Sequence, residues 1–124
     1  MIEIMFDNFI DQLIAKASNS KSIGSETYLF HQGDPVRSIY IIDDGLVELV
    51  RHQQDGTSII LQRAKGQSIL AEASIYSKHY HCGAIAKQPS NVFSLSRNTF
   101  LTLLHQDDEL SNSWAARLAR EVQS

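Results

Sequence analysis

Glycines recur at nearly even intervals through the middle of this chain and separate short β-rich runs. Four of them lie twelve, eleven and ten residues apart: Gly33, Gly45, Gly56 and Gly66. This spacing is typical of short antiparallel strands joined by turns. Gly45 and Gly56 each follow an aspartate, and Asp-Gly pairs tolerate positive φ and so favour reversal of a β-ribbon. The middle of the chain is therefore predicted to be antiparallel β structure.

Seven runs suited to strands occupy this section. They are Thr27–Phe30, Ser38–Ile42, Leu46–Arg51, Ser58–Gln62, Gln67–Leu70, Gly83–Ala86 and Asn91–Leu95. Many short strands of even length indicate a sandwich, a barrel or a jelly roll. Seven runs in so small a domain favour the jelly roll, a double-stranded β-helix.

Helical periodicity flanks the β-rich section on both sides. Apolar residues at spacings of three and four predict an amphipathic helix from Ile2 to about Ala17, ended by the small polar residues 18–22. C-terminal helices are predicted to follow an N-cap at Ser96, and Asp107-Asp108-Glu109 is interpreted as a helix start. We divide a single domain, 1–124, into an N-terminal helical segment 1–21, a β-roll 22–96 and C-terminal helices 97–124.

Composition sets the class of protein and its partners. The 124 residues are 43% hydrophobic and 20% charged, as in a single globular domain rather than a disordered chain. A net charge of −3 makes the domain a poor binder of DNA by itself. Cys82 is the single cysteine, so an internal disulfide is excluded. With no secretory signal and no membrane-spanning stretch, we expect a cytoplasmic protein without a membrane partner.

The order of several motifs resembles a known family. The motifs are Tyr28-Leu29-Phe30-His31-Gln32-Gly33-Asp34-Pro35, then 39–49 (Ile-Tyr-Ile-Ile-Asp-Asp-Gly-Leu-Val-Glu-Leu), then Asp55-Gly56, Gly66 and Ala71-Glu72, with an apolar helix closing the chain. From about Ser22 to Gln123 the chain resembles the cyclic-nucleotide-binding sensor domains of the CRP/FNR superfamily of transcriptional regulators. The resemblance implies a mainly β jelly roll with an N-terminal helix and C-terminal helices. It also implies an effector-sensing role and no enzymatic activity.

The resemblance also implies a set of effector-binding residues. Glu72 matches the glutamate that accepts a hydrogen bond from ribose, and the residues after it match the short helix whose amides face phosphate. Leu61 and Leu70 match the wall of the pocket. The full candidate set is Leu61, Leu70, Ala71, Glu72, Ala73, Ser74, Cys82, Gly83 and Ala84.

One departure from the family bears on the effector. Where nucleotide-binding members carry arginine followed by serine or threonine, this chain reads Cys82-Gly83-Ala84. A charge-assisted hydrogen bond contributes roughly 1.5–3 kcal/mol, so its loss weakens nucleotide binding by one to two decades or more. We expect a small-molecule effector other than cyclic AMP, or weak binding of cyclic AMP. Genuine binding of a cyclic nucleotide stays open as an alternative.

The run His79-Tyr80-His81-Cys82 offers a second alternative. Imidazole and thiolate are ligands for metals and haem, but His79 and His81 share one face of an extended strand while Cys82 lies on the other. We therefore expect no metal site, no haem and no required cofactor. Cys82 as a redox sensor is weighed against a small buried thiol, which is the more usual state of free cysteine.

Catalysis has no support in the sequence motifs. No G-x-S-x-G, H-E-x-x-H or phosphate-loop pattern occurs. A metal-binding cupin is a further β-roll possibility, but His52, His79, His81 and Glu72 lack the expected ligand spacing.

The last helix carries the predicted link to output. Trp114, Leu118 and Val122 recur every four residues and form a candidate dimer stripe, with burial against the chain's own roll left open for its first part. In the resembled family this helix continues into a dimer seam and a helix-turn-helix domain. We expect a homodimer in the full-length protein, and DNA binding only through a domain absent from this chain. Arg117 and Arg120 could reach a ligand or a DNA phosphate, but a solvated helix face explains them equally well, and we assign them no site role.

Overall fold

A computed structural model describes residues 2–17 and 20–123 of the chain, with side chains described for 9–17 and 20–119. Its helices and strands follow one another in this order: α1 (Ile2–Lys16), β1 (Lys21–Ile23), β2 (Tyr28–Phe30), β3 (Ser38–Asp44), β4 (Leu46–His52), β5 (Ser58–Lys65), β6 (Ser68–Leu70), a 3-10 helix (Glu72–Tyr76), β7 (Gly83–Ala86), β8 (Ser90–Ser96), α2 (Arg97–Gln106) and α3 (Asp108–Gln123). Within the described residues, no helix has the length and apolar character that crossing a membrane requires.

The strands form two four-stranded antiparallel sheets. One sheet has the order β1-β8-β3-β6 and the other has the order β2-β7-β4-β5. Strands adjacent in sequence lie mostly in different sheets, as a jelly roll requires. The prediction of a mainly β jelly roll with flanking helices is confirmed.

Apolar side chains of both sheets and of the helices meet in one core. Alternation along β3 and β4 buries Ile39 and Ile41 from one sheet and Val47 and Leu49 from the other. The helices close this core with fully buried side chains, among them Leu13 of α1 and the two aromatic residues Phe100 and Trp114. Burial of these apolar faces is what holds the helices against the roll.

The two Asp-Gly pairs have different roles. Gly56, with φ +91°, reverses the chain between the paired strands β4 and β5. Gly45, with φ +118°, does not form a hairpin, because β3 and β4 lie in different sheets. The prediction of ribbon reversal at Gly45 is wrong: this residue is a corner at which the chain passes from one sheet to the other.

Each C-terminal helix begins at a residue whose side chain caps it. The Ser96 hydroxyl accepts a hydrogen bond from the Thr99 amide at 3.1 Å, and Asp107 Oδ1 accepts one from the Leu110 amide at 3.1 Å. Each cap satisfies an amide that the first helical turn leaves without a partner. Both predicted helix starts are confirmed.

One strand is absent from the sequence prediction. Lys21–Ile23 forms β1 and pairs with Ser90–Val92 of β8. Its three residues are polar or half-buried and show no alternation. Pairing with β8, rather than local propensity, makes this segment a strand.

Candidate ligand-binding site

A cavity of about 270 Å³ lies between β4, β5, the 3-10 helix and the approach to β7. It is lined by Leu49, Arg51, Leu61, Gln62, Ala71, Glu72, Ala73, Ser74, His81 and Cys82. Six of the nine residues predicted to bind effector are in this lining. The other three, Leu70, Gly83 and Ala84, are buried and lie outside it.

The 3-10 helix forms one wall of the cavity and starts from an unusual backbone conformation. Ala71 has φ 54° and ψ 47°, in the left-handed region, and the chain then turns into Glu72. Left-handed backbone at a residue other than glycine is uncommon and marks a place that the surrounding structure holds in shape. This turn directs the chain so that Glu72 and Ser74 are buried.

Glu72 is bound to the last helix. Its Oε2 accepts a hydrogen bond from Arg117 Nε at 2.8 Å, and the Glu72 side chain is 8% exposed. The Arg117 guanidinium also lies 6.0 Å from the centre of the Phe9 ring, at cation–π distance. Of the two interpretations of Arg117, the solvated helix face does not hold, because this side chain joins the cavity wall to α3 and α1. The Arg120 side chain lies outside the described residues.

Arg51 is a cavity residue that the sequence analysis did not identify. Its Nε donates a hydrogen bond to the His81 carbonyl oxygen at 3.3 Å. The alternation of side chains along β4 could have identified it, because residues two positions apart in a strand share a face. Leu49 lines the cavity, and Arg51 is the next residue on the same face. The cavity therefore has a guanidinium, supplied by β4 and not by the segment at Cys82-Gly83-Ala84.

Cys82 lies at the buried edge of the cavity. Burial raises the pKa of its thiol, and the charge of Arg51 opposes this only in part. A raised pKa lowers the fraction of thiolate, the form that reacts with oxidants and binds metals. The environment of Cys82 thus favours a core thiol over a redox sensor.

The two histidines beside Cys82 point to different neighbours. His79 makes a β-bridge with Pro35, whereas the His81 ring lies 3.3 Å from the Ser77 hydroxyl. In the described part of the chain, no group of three or more His, Cys, Asp or Glu side chains is arranged to hold a metal ion.

The residues predicted for a dimer stripe differ in their surroundings. Trp114 is 2% exposed, stacks on Phe9 and meets Phe100 edge-on, so it belongs to the chain's own core. Its indole N–H donates to the Tyr76 hydroxyl at 2.9 Å, which ties α3 to the 3-10 helix. Leu118 is partly buried against the same core, and the Val122 side chain lies outside the described residues.

Comparison with known proteins gives a family match. Residues 20–107 match the family model for the cyclic nucleotide-binding domain. A curated relative, the anaerobic regulatory protein of Bacillus subtilis (strain 168), is 24% identical over 118 residues. This alignment covers 91% of the chain and 50% of the relative, so the chain spans half the length of the curated protein it matches.

Solved structures show the same fold. The catabolite activator protein of Thermus thermophilus superposes with a TM-score of 0.82 at 21% identity, covering 94% of this chain and 55% of that one. The sensor domain of the transcriptional regulator DNR from Pseudomonas aeruginosa superposes with a TM-score of 0.78 at 25% identity, covering 93% and 77%. The c-di-GMP-responsive regulator CLP of Xanthomonas campestris gives 0.75 at 18% identity, covering 94% and 56%.

Proposed function

The chain belongs to the cyclic nucleotide-binding domain family, and we propose that it is the effector-sensing part of a DNA-binding transcriptional regulator of the CRP/FNR type. The observation that carries the proposal is the Glu72–Arg117 ion pair. It joins a residue of the candidate cavity to the helix that follows the roll, so a ligand in the cavity acts directly on α3.

Two contacts, and not one, couple the cavity wall to α3. The 3-10 helix holds α3 through Glu72 with Arg117, and through Tyr76 with Trp114. A ligand shifts a conformational equilibrium only if it interacts differently with the two states. A ligand that displaces the 3-10 helix changes both contacts, so it interacts differently with the two states of the domain.

The expected partners follow from this role. The domain carries a net charge of −3, so contact with DNA belongs to another part of the full-length protein. That protein is proposed to be a cytoplasmic homodimer that pairs through the later part of α3, since Trp114 is committed to the domain core. Its relatives are regulators, and a binding role without catalysis is proposed for this chain as well.

Cyclic AMP is not the proposed effector. The reason is Glu72, whose carboxylate is engaged by Arg117 and is mostly buried, so it is poorly placed to accept a sugar hydroxyl. The arginine of the cavity, Arg51, comes from β4 and not from the segment Cys82-Gly83-Ala84. Calorimetric titration with cyclic AMP and cyclic GMP tests this. Millimolar or absent binding is expected, and micromolar affinity for either nucleotide contradicts it.

Chromatin precipitation of the protein from its own cells tests the regulatory role. The proposal expects enrichment of discrete promoter regions, with a strain lacking the gene as control. Recovery that is uniform along the chromosome, or equal to that of the control strain, contradicts a role in transcription.

A further inference from the structure

Arg51 gives the cavity a charge that no other described side chain of the lining balances. Its Nε bonds the His81 carbonyl, and no carboxylate among the described residues lies within ion-pair distance of it. By contrast, Arg63 and Arg117 are paired with Glu48 and Glu72. The two terminal amino groups of the Arg51 guanidinium therefore keep donors for a ligand.

The carboxylate in the cavity does not cancel this charge. Glu72 is the acidic residue of the lining, and Arg117 neutralises it at 2.8 Å. Arg51 is the one Arg or Lys of the described lining, and it lies outside ion-pair distance of Glu72. Arg51 is exposed, so an anion can reach its guanidinium from solvent, and the charge attracts the anion to the partly apolar wall beside it.

Five of the nine other lining residues are apolar, and Gln62, Glu72, Ser74 and His81 are the polar ones. Leu49, Leu61, Ala71, Ala73 and Cys82 surround the space next to Arg51. These five residues give the wall apolar surface that stabilises a hydrocarbon group.

Resting on the proposed sensing function, we propose that Arg51 binds the head group of a small organic anion whose apolar body fills this cavity. The head group is a carboxylate or a phosphate monoester, either of which a guanidinium holds through two parallel hydrogen bonds. Arg51 is thus the residue that determines the effector class of this chain, and it comes from β4, the strand that pairs with β7 next to Cys82-Gly83-Ala84.

Titration of the isotope-labelled chain with hexanoate, hexyl phosphate and the neutral analogue hexanamide tests the proposal. The readouts are the Arg51 Nε–H and Cys82 amide resonances in NMR spectra. At least one of the two acids is expected to give saturable shifts at both resonances, with hexanamide much weaker. The stronger acid identifies the head group.

Variants separate the charge of Arg51 from the fold. Arg51→Gln is expected to weaken the acid by about 10- to 150-fold, and Arg51→Lys by less, because it keeps the charge but loses the two-bond geometry. Arg63→Gln, which changes an exposed arginine outside the cavity, is the matched control and is expected to bind as the parent does. Thermal melting confirms that each variant is folded.

Three results overturn the proposal: no saturable shift with either acid, equal shifts with hexanamide, or unchanged affinity in Arg51→Gln. Each of these leaves the promoter enrichment measured by chromatin precipitation unaffected. Failure of the anion site is therefore distinguishable from failure of the regulatory role.

Discussion

Arg117 Nε donates to Glu72 Oε2 at 2.8 Å across 45 positions of sequence, and this contact is what fastens the wall of the cavity to the last helix. Both side chains are mostly buried, with exposed fractions of 21% for Arg117 and 8% for Glu72.

Removing one partner of the pair takes from the other, buried charge the ion pair that stabilises it. Arg117→Met is expected to lower the free energy of unfolding by about 3 kcal/mol. The double variant Glu72→Met/Arg117→Met is expected to cost less than the sum of the two single variants, since neither charge then remains. Urea denaturation followed by circular dichroism measures the free energy of unfolding of Arg117→Met, Glu72→Met and the double variant.

The exposed pair Arg63–Glu48 is the control for this experiment. The Arg63 side chain is 63% exposed, so Arg63→Met is expected to change stability by less than about 1 kcal/mol. Equal losses for Arg63→Met and Arg117→Met contradict a special role of the buried pair.

Trp114 joins α3 to α1 and α2 through its aromatic contacts. Trp114→Ala is expected to destabilise the domain by about 3–5 kcal/mol, because it opens a cavity between Phe9 and Phe100. Tyr76→Phe removes only the acceptor of the indole hydrogen bond at a half-exposed site, and about 1 kcal/mol is expected. Chemical denaturation followed by circular dichroism compares them. A small loss for Trp114→Ala shows that α3 is loosely attached.

Gly45 is the corner between the sheets and tolerates no side chain. A Cβ there overlaps the Ser90 hydroxyl and lies 2.7 Å from Ser90 Cα, in addition to the strain of φ +118°. Gly33→Ala, with φ +92° and open space around the new methyl group, is the matched control. Thermal melting is expected to show a loss of about 1–2 kcal/mol for Gly33→Ala and a clearly larger one for Gly45→Ala. Equal losses show that only φ matters at Gly45.

Tyr80 makes stability depend on alkaline pH. Burial raises the pKa of its hydroxyl, as does the neighbouring Tyr40, and the hydroxyl donates to the Ser38 carbonyl oxygen at 2.6 Å, a hydrogen bond that only the protonated form makes. The folded state therefore holds this proton more tightly than the unfolded state, so its contribution is complete below about pH 10 and falls as the pH rises further. Tyr80→Phe is expected to flatten the decline of stability above that pH. The same denaturation series on Tyr76→Phe, which changes an exposed tyrosine, should keep the parent slope.

Cys82 is expected to react slowly with alkylating agents. Because burial raises the pKa of its thiol, little thiolate is present at pH 8, and the buried sulfur is shielded. Mass spectrometry after timed exposure to iodoacetamide is expected to give a rate at least about 10-fold below that of free cysteine. A rate equal to that of the free amino acid supports the redox-sensor alternative instead.

Local signals in the sequence were sufficient for most of the fold. The Asp-Gly turn at Gly56 and the helix caps at Ser96 and Asp107 depend on interactions between residues close in sequence. All three lie at the positions that the sequence predicts. The family motifs identified Glu72 and Cys82 as cavity residues, and both line it. Strand β1 was missed because pairing with β8 makes it a strand, and β8 is far away in the sequence. The hydrogen bond between the side chains of Ser22 and Asn91, for example, joins residues 69 positions apart.

The amino-acid sequence by itself determined the elements of this protein other than β1 and its jelly-roll class, because periodicity, turns and caps act over a few residues, while the segment that lines the cavity was implied by the family resemblance. Only the tertiary structure decided which charges meet. In the tertiary structure Gly45 lies at a corner between the sheets and not in a hairpin, Arg51 lies beside Cys82, and Arg117 forms an ion pair with Glu72. These contacts join residues 31 to 45 positions apart. Only the packing of the two sheets and three helices brings such side chains together, and a local sequence pattern does not predict the distance between them.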